Sequence, residues 1–171
     1  MEKRILIPTH PETLTNHNEQ LPFPYNLPLW RRRHWAQSPD GRHTAEIAEA
    51  WEVSMGNPTS GTLTIDGRWE LPRCNPSFIW SDDSRYLAVP QFFVRALLFR
   101  RQRVILIDIA EWTIRASRVS AAYFQPESFT DGLLRVTAHP FRGPRLFSWR
   151  FPEAMPQFCK YRSCSLKEVI N

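Results

Sequence analysis

A chain of 171 residues, 42% hydrophobic and 23% charged, has the make-up of one soluble globular domain and excludes a low-complexity or disordered chain. Its formal charge of +5 rests on arginine, because Lys3, Lys160 and Lys167 are the only lysines among 22 basic residues. The most apolar stretch, residues 92–109, is interrupted by Arg95, Arg100, Arg101 and Arg103, so it does not read as a membrane span.

Residues 1–29 read as an arm rich in proline (Pro8, Pro11, Pro22, Pro24, Pro28), with one short strand expected at Arg4-Ile5-Leu6-Ile7. Residues 30–171 read as a single β-repeat domain. Its first unit opens near Arg33–Gln37 and turns at Ser38-Pro39-Asp40-Gly41, which has the residue order of a type I turn. Thr44–Glu52 has high intrinsic helix propensity. Its counterpart 42 residues on, Tyr86–Val94, is strongly strand-like, so a strand is expected, with Ala45, Ile47, Trp51 and Val53 on one side. Thr62–Ile65 follows as a strand, and Asp66-Gly67 reads as a tight hairpin turn before Arg68–Leu71.

The second unit repeats the plan. Ser81-Asp82-Asp83-Ser84 aligns with the first turn at a spacing of 43 residues, and Arg85–Val89 follows as a strand. An insertion is expected through Arg95 to Arg103. Val104–Ile109 is a continuous apolar run, the pattern of a central strand, and Trp112–Ser117 forms the next strand. In the third unit Gln125-Pro126-Glu127-Ser128 occupies the place of the turn, and Leu133–Val136 and Leu146–Trp149 occupy the places of strands. The tail at Ser165–Ile170 suits either a helical turn or a closing strand.

Leu63, Ile105 and Phe147 recur at intervals of 42 residues, and Ile65, Ile107 and Trp149 follow two residues later. That is the period of a four-stranded propeller blade. The turn Ser38-Pro39-Asp40-Gly41-Arg42 and the stretch Trp80–Ala88 resemble blades of WD-repeat-like β-propellers of the TolB type. The resemblance covers residues 33–158. It implies an all-β, propeller-like array of about three β-meander units, open or completed by association of two copies, and a rigid platform for binding macromolecules.

The sequence carries no catalytic constellation. Its histidines (His10, His17, His34, His43, His139) lack metal-ligand spacing, and there is no nucleophile elbow or phosphate-binding glycine loop, so no metal or cofactor is expected. Asp82 and Asp83 suit backbone bonding within the turn better than acid–base chemistry. Cys74, Cys159 and Cys164 form neither a zinc pattern nor a CxxC pair, and an odd count favours reduced thiols in a cytoplasm.

Arginine and tryptophan interleave at Trp30-Arg31-Arg32-Arg33, arginine recurs at Arg100, Arg101 and Arg103, and Trp51 and Trp69 lie off the repeat ladder. Exposed tryptophan and arginine are the usual carriers of protein–protein binding energy. These nine residues are therefore the expected partner surface. The favoured function is stoichiometric binding of another protein, in the manner of a bacterial inhibitor or immunity-type protein that neutralises a toxin. The alternative is nucleic-acid binding through the two arginine clusters, and an enzyme subunit ranks third. Edge protection and solubility explain the same arginines without any partner.

Overall fold

The computed structural model describes residues 32–53, 57–95, 99–139, 143–161 and 167–168. The expected arm at 1–29, with its strand at Arg4–Ile7, lies outside the described residues, as do Trp30, Arg31 and Cys164. The described chain is nearly all-β. Thirteen strands are joined by tight turns and one short 3-10 turn at Met155–Gln157, and no α-helix occurs among the described residues.

Two four-stranded antiparallel meanders come first. Strands β1 (His34–Gln37), β2 (Thr44–Glu52), β3 (Thr59–Ile65) and β4 (Trp69–Cys74) pair in sequence order. Strands β5 (Ile79–Trp80), β6 (Tyr86–Arg95), β7 (Phe99–Asp108) and β8 (Thr113–Ser117) do the same. The helix propensity of Thr44–Glu52 is overridden because alternation along a strand lets Ala45 and Ile47 bury their side chains together in the core. Asp66 and Gly67 both take positive φ, at 53° and 65°, the backbone that a two-residue hairpin turn demands.

The first two turns are built alike. Ser38 Oγ donates to Asp40 Oδ1 at 2.7 Å and accepts the His43 amide at 3.0 Å; Ser81 Oγ donates to Asp83 Oδ1 at 2.5 Å and accepts the Tyr86 amide at 2.8 Å. Asp40 and Asp83 each also take the amide two residues on, from Arg42 and Arg85. The turns are linked sideways, since the Asp40 amide donates to Ser84 Oγ at 2.9 Å and the Asp131 amide to Asp82 Oδ2 at 2.6 Å.

The third unit departs from the expectation. Gln125–Ser128 is not a turn but part of β9 (Phe124–Thr130), and the turn falls at Asp131-Gly132, with φ of 50° and 68°. Pro126 is tolerated there because β9 is an edge strand and pairs irregularly at that point with β10 (Leu133–Ala138). β11 (Arg145–Arg150) completes this three-stranded sheet. The expected insertion from Arg95 to Arg103 is also corrected. Phe99–Arg103 is strand, paired residue for residue with Gln91–Arg95, so β6 and β7 form one long hairpin.

β12 (Phe158–Lys160) then returns to pair with β8, and β13 (Lys167–Glu168) pairs with β4, so the tail closes as strand. The ten-stranded sheet curls into a half-barrel, with its first meander facing its second. Between them lies one core, containing Ile47, Leu63, Ile65, Leu71, Trp80, Leu87, Val89, Ile105 and Ile107. On the other side of β6 and β7, the residues Tyr86, Ala88, Val104 and Leu106 pack with Phe124, Phe129, Val136 and Trp149 of the three-stranded sheet in a second core. Val104–Ile107 is thus buried on both faces, the reason its apolar run is unbroken. Each such side chain contributes roughly 1.5–3 kcal/mol on burial. The residues repeating every 42 positions all fall in the third strand of a unit, β3, β7 and β11.

Candidate functional site

The end of the first meander farthest from the serine turns is irregular, and the irregularity creates a surface. In β2 the pairing with β3 runs regularly to Ala48–Thr62, then resumes at Trp51–Ser60, so two residues face one. Glu49, with φ of 51°, is the bulged residue. Without it Trp51 would share the inward side of Ala45 and Ile47. The extra residue puts Ala50 in the core and leaves Trp51 67% exposed. The expectation that Trp51 shares a side with Ala45 and Ile47 is corrected by this bulge, which is also what places the ring on the surface.

β4 carries a matching bulge. Its pairing with β3 jumps between Leu71–Leu63 and Cys74–Gly61, and Arg73 takes φ of 61°. Gly61 lies between the two bulges. A Cβ there would stand 2.8 Å from Ile47 Cγ2 and 3.2 Å from the Ala50 backbone, so glycine is what lets the two strands close in. The Pro72 carbonyl released by the second bulge accepts from Gln91 Nε2 at 2.9 Å.

Trp51, Glu52, Val53, Ser60, Arg73, Phe92 and Phe93 line a cleft of about 330 Å³ where the two meanders splay apart. Arg32 lies over the outer tryptophan, its Cζ 5.6 Å from the Trp51 ring centroid. From the inner wall, Phe93 meets Arg103, whose Cζ is 5.3 Å from the Phe93 ring and 4.2 Å from the Tyr161 ring. Arg103 donates to Gln91 Oε1 at 3.3 Å, and the Tyr161 hydroxyl donates to the same oxygen at 2.7 Å. The fully buried Gln91 amide therefore ties the bulge carbonyl to the arginine and the tyrosine.

The nine expected partner residues divide accordingly. Arg32, Trp51 and Arg103 come together around the cleft. Arg33 is engaged by Glu46, with Nη2 at 2.8 Å from Oε1. Arg101 braces the loop after β8, donating to Ser120 Oγ at 3.1 Å and to its carbonyl at 2.6 Å. Trp69 is corrected: it is half-buried, stacked on Trp112 at 5.0 Å against the first core near the serine turns. Arg100 lies in β7 opposite Val94, and its side chain lies outside the described residues.

Arg73, Phe92, Phe93 and Tyr161 were not expected at the site. Phe92 and Phe93 sat beside the presumed insertion, and the bulge at Arg73 has no glycine to mark it. Elsewhere the polar groups have structural work. Asp82 and Asp83 bond backbone amides. Asp108 binds Arg85 at 2.9 Å and raises its pKa, and His43 bonds Asp66 at 2.8 Å. No group of three or more metal-ligating side chains occurs among the described residues. No helix among them is long and apolar enough to cross a membrane.

An all-β scaffold with an aromatic, arginine-flanked cleft at one strand end is the class that fold and site define. No family model matches the chain, nor does any curated protein or any solved structure.

Proposed function

We propose that this chain is a propeller-type β scaffold that acts by stoichiometric binding of another protein at the cleft beside Trp51, as an inhibitor or immunity-type protein for a toxin in the cytoplasm. The observation that carries the reading is the outward turn of Trp51. A bulge flanks Gly61 on each side, and the result is a large tryptophan 67% exposed under an arginine and above an open cleft. An exposed tryptophan of this kind gains most of its burial energy only from a partner.

The competing nucleic-acid reading is weaker because its clusters are partly engaged. Arg33 pairs with Glu46 and Arg101 with the Ser120 loop. The test is affinity capture with the intact chain and a Trp51→Ala variant, followed by titration of the captured protein's own activity. A partner retained by the wild type, weakened by about 30-fold or more in the variant and inhibited at one-to-one ratio supports the reading. Identical capture by both proteins overturns it.

A further inference from the structure

Beside the cleft, β8 and β12 border a groove of about 690 Å³ lined by Arg103, Arg118, Lys160, Tyr161, Ser117 and Phe158. Among the described residues its lining contains three cations and no carboxylate. Three described arginines outside the groove are paired with carboxylates, Arg33 with Glu46, Arg42 with Asp40 and Arg85 with Asp108. Among the described residues no carboxylate pairs with Arg103, Arg118 or Lys160.

Two of the three are held in place. Arg103 is fixed by the Phe93 and Tyr161 rings, and its Nε is buried without a hydrogen-bond partner among the described residues. Arg118 is anchored by its Nε donating to the Pro156 carbonyl at 3.0 Å. The Arg103 guanidinium, already ordered and partly stripped of water, loses little on meeting an anion, so such a pair is strong, while Arg118 remains exposed. Phe93 is a wall of the cleft and also one of the rings on Arg103, which lines the groove, so cleft and groove are neighbours on the surface.

We propose that the segment docked on this surface is acidic: an extended protein segment that sets an apolar side chain against Trp51 and Phe93 and its carboxylates against Arg103, Arg118 and Lys160. This rests on the protein-binding reading and adds the chemistry of the partner. A nucleic-acid strand fits the same surface less well, because the groove's own ring, Tyr161, is covered by Arg103 and offers less open face for a base to stack on.

The test uses the intact chain and a fluorescently labelled deca-glutamate peptide, followed by anisotropy at low salt. Lys160→Glu and Arg118→Glu change exposed side chains, and circular dichroism checks that each variant keeps its fold. Each is expected to weaken binding by about tenfold or more, while Arg145→Glu, on the three-stranded sheet, leaves it unchanged. Equal loss in all three variants, or no loss in any, overturns the proposal. So does tighter binding of a single-stranded oligonucleotide of the same charge through the same residues. A protein captured through Trp51 but insensitive to Arg118→Glu and Lys160→Glu leaves the function standing and removes this inference. Groove-dependent peptide binding without a Trp51-dependent protein partner does the reverse.

Discussion

The two ends of the first meander are built on opposite terms. At the serine-turn end the main features recur in the second unit: the hydroxyl that caps the hairpin, the aspartate two residues on, and a bond to a neighbouring turn, though to a different acceptor. At the other end the described residues of the second unit hold no counterpart: two bulges, a glycine between them and an outward tryptophan occur in the first unit, whereas β6 and β7 pair without a register shift. The regular end satisfies its polar groups internally, and the irregular end leaves apolar and cationic groups for something else. Repetition here builds the scaffold, and departure from it builds the surface.

The sharpest way to test that contrast is to cut back one tryptophan from each side of it. Trp80 is buried in the first core and its indole donates to the Ala36 carbonyl at 3.2 Å. Trp80→Ala should lower unfolding free energy by about 3–5 kcal/mol, whereas Trp51→Ala should change it by no more than about 0.5 kcal/mol. Urea denaturation followed by circular dichroism reads both. Similar losses would erase the distinction between structural and surface tryptophans.

Next in size is Gly61→Ala, which forces a methyl against Ile47 and Ala50 and should cost about 1–3 kcal/mol through overpacking. Its more telling readout is Trp51. If the paired bulges hold that ring outward, the variant should also change its quenching by acrylamide, and unchanged quenching would separate the bulges from the tryptophan's exposure. Ser81→Ala tests the regular end. It strands the buried Tyr86 amide and should cost about 1–3 kcal/mol by the same denaturation assay, with a comparable loss for Ser38→Ala if the two turns are energetic as well as geometric copies.

The smallest effect concerns pH. The Ser38 hydroxyl first, and then the Arg42 amide, hold the Asp40 carboxyl below its ordinary pKa. Because the folded value lies below the unfolded one, this contribution is present above the ordinary carboxylate range and is lost as pH falls through the lowered value. Asp40→Asn removes that titration, so its denaturation midpoint should fall less steeply than the wild type's between about pH 5 and about pH 3. Parallel acid limbs would show that Asp40 adds nothing to the turn beyond shape.

Much of the scaffold was legible from spacing alone. Ser38 and Ser81 are 43 residues apart and make the same bonds, and Val104–Ile107 is unbroken because both its faces are buried. Gln125–Ser128 misled because proline and serine suit an edge strand with a bulge as well as they suit a turn. The cleft was harder to read. A bulge shifts inward and outward positions by one, so no pattern of period two could place Trp51, and Arg73 takes a positive φ that its side chain does not advertise. Trp69 misled in the other direction: its partner, Trp112, lies in another unit.

The return of the chain to earlier sheets has a consequence for synthesis. β8 gains its outer neighbour only from residues 158–160, and the start of β4 gains one only from residues 167–168. On a ribosome adding about 5–20 residues per second, the first two meanders emerge seconds before those covering strands exist. Their open edges are then templates for pairing with a neighbouring nascent chain. A ribosome pausing after residue 150 would prolong that exposure, so β12 and β13 act as the molecule's own guard against aggregation.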